Sequence, residues 1–107
     1  MAVAELSVQE LKRRLDAGEN LVVLDVREPW EVALAKLPDI VHIPLGQLPA
    51  RLQELEPDSN IVAMCKSGGR SHRAAEFLSS KGFGRVANLS GGIDAWRQEI
   101  DPSLSSY

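Results

Sequence analysis

Asn60-Ile61-Val62-Ala63-Met64-Cys65-Lys66-Ser67-Gly68-Gly69-Arg70-Ser71 is the stretch that decides the architecture. Five residues with a continuous apolar run read as a strand buried on both faces. The run stops at a cysteine. A short glycine-rich loop follows, and a helix is expected to begin near Arg70. Strand, tight loop and helix start is a unit of parallel α/β folds, in which ligands bind beyond the carboxyl ends of the strands.

The rest of the chain repeats this alternation. Ser7-Val8-Gln9-Glu10 matches a capping box, and Val8, Leu11 and Leu15 follow at helical spacing, predicting a helix over 8–17 with Gly18 just past its end. Residues 21–26 form a second buried apolar run, rich in β-branched residues. Pro29 suits the first turn of a helix that Trp30 to Ala35 continue and Pro38 ends. A short strand is expected over 40–43. Leu48, Leu52 and Leu55 form a stripe that predicts a helix between Gly46 and Pro57. Ala74, Ala75, Phe77 and Leu78 mark the apolar face of the next helix, which Gly82 caps. Residues 85–89 read as a fourth strand, and Ile93, Trp96 and Ile100 as the core face of a last helix. The expected fold is α/β, a mostly parallel sheet with helices on both faces.

Composition bounds the function. The chain has 107 residues, 44% hydrophobic and 25% charged, which fits one domain over 1–107 able to bury a core without staples. Residues 101–107 read as a loosely held polar tail. A net charge of −3 argues against nucleic acid as a partner. The apolar runs are too short for a membrane span, and the N-terminus lacks the pattern of a signal peptide. With a single cysteine ruling out an internal disulfide, a reducing cytoplasm is the expected location. His42 and His72 have no ligand spacing with Cys65, so no metal site is expected.

The chemistry gathers at Cys65. Successive amides of a loop this small can point inward as an anion-binding nest, and the helix start adds free amides and partial positive charge. Arg70 supplies a permanent cation. Gly68 and Gly69 allow turns that a side chain would block. Such a cradle acidifies a thiol and equally suits a persulfide anion, Cys–S–S⁻. Most lone cysteines are small buried hydrophobes. Here the glycine pair, the arginine and the helix start that follow directly favour a nucleophile. Arg27, after the second strand, is expected at the pocket mouth, where it would attract an anionic donor, in preference to the alternative of a surface pairing with Glu28 or Glu31. Asp25 is expected either to hold the Cys65 loop or to cap the following helix. Gly91 and Gly92 are expected to leave backbone room beside the loop. Between Lys66 and Arg85 the bases Lys66, Arg70, Arg73, Lys81 and Arg85 face one acid, Glu76, which predicts a basic face that steers anions or an acidic partner.

Three segments carry a family resemblance. Leu24-Asp25-Val26-Arg27-Glu28-Pro29-Trp30-Glu31, Cys65-Lys66-Ser67-Gly68-Gly69-Arg70-Ser71 and Leu89-Ser90-Gly91-Gly92-Ile93-Asp94-Ala95-Trp96 resemble, in that order, three signatures of the rhodanese family. The resemblance runs from about Ser7 to Trp96. It implies a three-layer α/β/α fold on a five-stranded sheet. It implies a sulfurtransferase that carries sulfur as a Cys65 persulfide without a cofactor. The sulfur pocket is then built by the amides of Lys66, Ser67, Gly68 and Gly69, by Arg70, and by the Ser71 hydroxyl. Where the family often has His-Ile-Pro-Gly, this chain reads Lys36-Leu37-Pro38-Asp39-Ile40.

Four residues separate Cys65 from Arg70. The related cysteine phosphatases and arsenate reductases use one more, a wider cradle suited to a tetrahedral phosphate, so phosphatase chemistry is disfavoured. The ending Trp96-Arg97-Gln98-Glu99-Ile100-Asp101-Pro102-Ser103-Leu104 is similar to the C-terminal rhodanese domain of MoeB/ThiF-type adenylyltransferases. That likeness implies a small ubiquitin-like sulfur-carrier protein as acceptor, with thiosulfate or a protein persulfide as donor, in molybdopterin, thiamine or tRNA-thiolation chemistry. It is compatible with a domain of such an enzyme and with a stand-alone rhodanese. The alternative is a non-catalytic interaction module on the same fold, a type that usually lacks the cysteine.

Overall fold

The computed structural model describes residues 3–107. Five strands, β1 (Ala4–Leu6), β2 (Leu21–Asp25), β3 (Val41–His42), β4 (Asn60–Met64) and β5 (Val86–Leu89), lie in the order β1-β5-β4-β2-β3. Every neighbouring pair is parallel. Four helices accompany them: α1 (Val8–Asp16), α2 (Pro29–Leu34), α3 (Gly69–Ser80) and α4 (Gly92–Glu99). β4 is the middle strand. Its neighbours β5 and β2 therefore bring Gly91-Gly92 and Asp25-Arg27 to the same sheet edge as Cys65. The expected fold class is the observed one.

Both sheet faces are covered, which is why the central strands read as continuous apolar runs. On β4, Val62 and Met64 pack with Leu6, Leu11, Leu89, Ile93 and Trp96, the side of α1 and α4. Ile61, Ala63 and Cys65 pack with Leu24, Ile43, Leu48, Ala74 and Leu78, the side of α3. The alternation puts the sulfur on the face where α3 begins.

Several local expectations are corrected. The stripe Leu48, Leu52, Leu55 is not an α-helix but two 3₁₀ turns, Leu45–Gln47 and Leu52–Glu54. Pro49 lacks the amide a continuous helix needs. The leucine pairs 45/48 and 52/55 are three residues apart, the period of a 3₁₀ turn. β1 was not anticipated: it is three residues long, only Leu6 in it is buried, and its pairing with Ala87–Leu89 gives it its shape. The third strand is shorter than expected. The Ser7 half of the capping box is present, its hydroxyl accepting from the Glu10 amide at 3.1 Å, while the Glu10 carboxylate turns to Arg13. Asp39 holds φ of 55°, a left-handed turn at the place where the resembled family often has glycine. Among non-glycine residues aspartate tolerates that region comparatively well.

The tail expected to be loose is tied down. Leu104 and Tyr107 pack on the core, and the Tyr107 hydroxyl hydrogen-bonds beside α2. Among the described residues no helix is long and apolar enough to cross a membrane.

Leu78 is fully buried between α3 and the sheet. Leu78→Ala is expected to lower unfolding free energy by about 2–5 kcal/mol, the usual cost of a core cavity, as measured by urea denaturation.

Candidate active site

The Cys65 loop is held from below by α4. The amides of Ile93 and Asp94, at the start of α4, donate to the carbonyl oxygens of Cys65 and Lys66 at 2.9 and 3.0 Å. These bonds fix the start of the loop behind the sulfur. The Gly68 amide donates to Cys65 Sγ at 3.1 Å, and the Ser71 amide at 3.4 Å. The Ser71 hydroxyl lies 3.3 Å from the sulfur. Gly68 makes the turn with φ of 114°. Gly92 is required by proximity: a Cβ there would lie 2.3 Å from the Cys65 carbonyl oxygen and 2.5 Å from that of Lys66. A Cβ on Gly91 would instead meet Ala95 Cβ of α4 at 2.6 Å, so of the two expected glycines Gly92 is the one pressed against the loop.

The thiol is 1% exposed. Burial pushes its pKa up. The Ser71 hydroxyl and the amides of Ser71, Gly68 and Ser67 pull it down, and the net result lies below the ordinary thiol value. Hydrogen bonds to the charged form thus outweigh desolvation. Open grooves of about 490 Å³ lie at the other end of the strands, around Asp58 and Arg85.

The expected cations are present but occupied. Arg70, in the first turn of α3, points both terminal nitrogens at Glu31 of α2, at 2.6 and 2.9 Å, and does not close over the sulfur. Lys66 reaches Asp94 at 2.9 Å, with its ammonium 5.3 Å from the centre of the Tyr107 ring. Arg27 is a clear correction. It is fully buried and donates to Asp25 Oδ2 at 2.7 Å, to the Ala35 carbonyl at 2.7 Å and to the Tyr107 hydroxyl at 2.8 Å. A guanidinium with no exposure cannot attract a ligand at a mouth. Asp25 is corrected with it. Its carboxylate accepts from the Arg27 side chain and amide, not from the Cys65 loop, because a buried carboxylate beside a buried guanidinium is satisfied there first.

Glu31, Tyr107 and Asn88 are residues that sequence reasoning did not place in the site. Glu31 has a 4% exposed side chain. Its pKa is lowered to about 2, chiefly by the Arg70 bidentate bond against the cost of burial, helped by the Glu28 amide and the Tyr107 hydroxyl. Asn88 of β5 donates to the Gly68 carbonyl at 3.2 Å, and its Oδ1 lies 2.5 Å from the Ser71 hydroxyl. Its one sequence signal is an amide inside an apolar strand. Glu31 stood in a quoted signature, but nothing local pairs it with a residue 39 positions away. Among the described residues no buried side-chain nitrogen or oxygen lacks a partner. His42 bonds the Arg27 carbonyl at 2.7 Å, a packing role.

Comparison with known proteins agrees with this geometry. Residues 7–99 match the Rhodanese-like domain family, and the chain belongs to it. A protein of Allochromatium vinosum named Sulfurtransferase is 39% identical over 96% of both chains. The maize protein named Adenylyltransferase and sulfurtransferase MOCS3-2 is 33% identical over 97% of this chain, which spans 23% of that longer protein. The crystal structure of a rhodanese-related protein from Thermoplasma volcanium superposes with a TM-score of 0.83, at 31% identity, over 91% of this chain and 93% of its own.

Two pH effects follow. Because the Cys65 pKa is depressed, thiolate absorbance in the ultraviolet should persist below the pH at which a free thiol protonates, and Ser71→Ala should move the midpoint upward; a midpoint that does not move would remove the hydroxyl from the cradle. The Glu31 pKa is depressed from 4.5 to about 2, so its stabilising effect is complete above about pH 4.5 and fades as pH falls toward 2. Denaturant unfolding across that range should show a shallower loss in Glu31→Gln than in the parent.

Proposed function

We propose that this chain is a sulfurtransferase in which Cys65 carries sulfane sulfur as a persulfide. The observation that carries the reading is the convergence of the Gly68 amide, the Ser71 amide and the Ser71 hydroxyl on one sulfur atom. Donors fixed in place around a negative sulfur stabilise it without reorganisation at the moment of reaction. The name of the Allochromatium relative supports the same class of reaction.

The chemistry needs two displacements. The Cys65 thiolate attacks the sulfane sulfur of a donor R–S–SH; the donor S–S bond breaks, R–S⁻ leaves, and Cys65–S–SH forms. With thiosulfate the leaving group is sulfite and the product is Cys65–S–S⁻. An acceptor thiolate then attacks the outer sulfur, takes it as its own persulfide, and returns the Cys65 thiolate. The inward amides serve the thiolate first and the persulfide second. With one cysteine in the chain, the acceptor comes from another molecule. The maize relative's name supports a partner in sulfur delivery, and the acceptor class we assign is a thiol or a small sulfur-carrier protein. No metal or organic cofactor enters either step.

Treatment with a sulfane donor should add about one sulfur atom's mass to Cys65, as expected of a thiolate nucleophile. Intact-protein mass spectrometry should show this gain in the parent and not in Cys65→Ser, whose circular dichroism should match the parent's. A sulfur gain that persists without the cysteine would overturn the proposal.

A further inference from the structure

The cations of the Cys65 loop and of the end of β2 are already bound to carboxylates. Arg27 lies against Asp25, Lys66 against Asp94, and Arg70 against Glu31. Lys66 and Arg70 are the cationic side chains of the Cys65–Ser71 loop. The loop's own cations are therefore occupied, with Asp94 shared between Lys66 and Arg97 and Arg73 of α3 left exposed.

The Arg70 pair is the decisive one. Its two terminal nitrogens face the two oxygens of a carboxylate whose side chain is 4% exposed. A sulfonate-bearing donor that took the same guanidinium fork would strand Glu31. That carboxylate would keep only the Glu28 amide at 3.0 Å and the Tyr107 hydroxyl at 2.9 Å. A buried carboxylate that loses its cation is strongly disfavoured. Tyr107 holds Glu31 in place from the other side, because its hydroxyl also accepts from Arg27. Thiosulfate brings two negative charges and needs such a cation. A persulfide R–S–SH brings at most one negative charge on its reacting group, and the loop amides can receive its sulfur without a guanidinium.

Resting on the persulfide reading of Cys65, we infer that Glu31 is a specificity-determining residue. It reserves Arg70 and so directs this chain to take sulfur from thiol-borne persulfides in preference to inorganic thiosulfate. The step is Cys65–S⁻ + R–S–SH → Cys65–S–SH + R–S⁻, balanced in atoms and charge with no further reactant. Glu31 acts through Arg70 and does not touch the reacting sulfur, so it is a positioning residue.

The test is the rate of sulfur loading on Cys65, with sodium thiosulfate and glutathione persulfide as donors, followed by rapid-quench mass spectrometry. In the parent protein kcat/KM for glutathione persulfide is expected to exceed that for thiosulfate by about 100-fold or more, because a sulfonate can take Arg70 only by stranding a buried carboxylate. Glu31→Gln keeps the shape and removes the charge. It should lower the KM for thiosulfate and shrink the ratio of the two donors by roughly tenfold, with a smaller change in kcat. Glu31→Asp keeps the charge and should keep the parent ratio. A ratio unchanged in Glu31→Gln, with Cys65 still loaded, overturns the inference and leaves the persulfide reading standing. Failure of both donors to load the parent protein overturns that reading itself. Should Glu31→Gln not fold, the parent ratio decides: thiosulfate used as well as the persulfide refutes the role of Glu31.

Discussion

The Cys65 loop holds amides toward the sulfur while its backbone is anchored from behind. A peptide unit points its N–H and C=O in opposite directions, and a buried carbonyl without a donor is costly. The carbonyls of Cys65 and Lys66 are taken by the first amides of α4. That of Gly68 is taken by Asn88 and by the His72 amide of α3. With the loop anchored at these carbonyls, the Gly68 and Ser71 amides face the sulfur. Helix starts have spare amides to give, so two helix N-termini meet at this loop in different roles. α3 faces the sulfur, and α4 anchors the loop behind it. The contact between Gly92 and the loop carbonyls is closer than any side chain would permit, and a bulkier residue there would displace the anchor.

The second constraint is charge. Asp25, Arg27, Glu31 and Tyr107 form a connected buried network under the mouth, with Arg70 at its outer end. Burying that much charge is tolerable only because each group is paired and hydrogen-bonded. The arrangement fixes α2, the end of β2 and the C-terminal segment relative to the loop. It also changes the electrostatic character of the site. Cations that would draw dianions from solution are compensated within the fold, so the field at the thiol comes mainly from oriented amides.

These two constraints meet in the sulfur's own environment. Cys65 sits on the α3 face of the sheet among apolar side chains, and that burial alone would protonate it. The amides and the Ser71 hydroxyl reverse the direction. A site that is dry on one side and lined with donors on the other strengthens every hydrogen bond made to an anion. A thiolate and a persulfide are both large, polarisable anions that profit from this.

The parallel α/β class, the strands over 21–26, 60–64 and 85–89, the helices that flank them and the cradle of donors around Cys65 were legible in the chain itself. Each rests on local information: apolar periodicity, breakers at Pro29, Pro38 and Pro44, and a cysteine followed directly by glycines and a helix start. The short strand β1, the 3₁₀ turns around Pro49 and the anchored tail were not legible, because pairing and packing with distant segments impose them. The same holds for charge. Sequence reading counted Arg27, Lys66 and Arg70 as cations free to meet a ligand. Whether a guanidinium faces solvent or a carboxylate depends on which distant acid the sheet order brings beside it. The order β1-β5-β4-β2-β3 carries β2, and the α2 that follows it, to the edge where the Cys65 loop emerges from β4. Local sequence therefore determined the cysteine and its cradle. Only the tertiary structure decided which of its cations are already bound, since ion pairing is settled by distance in space and not along the chain.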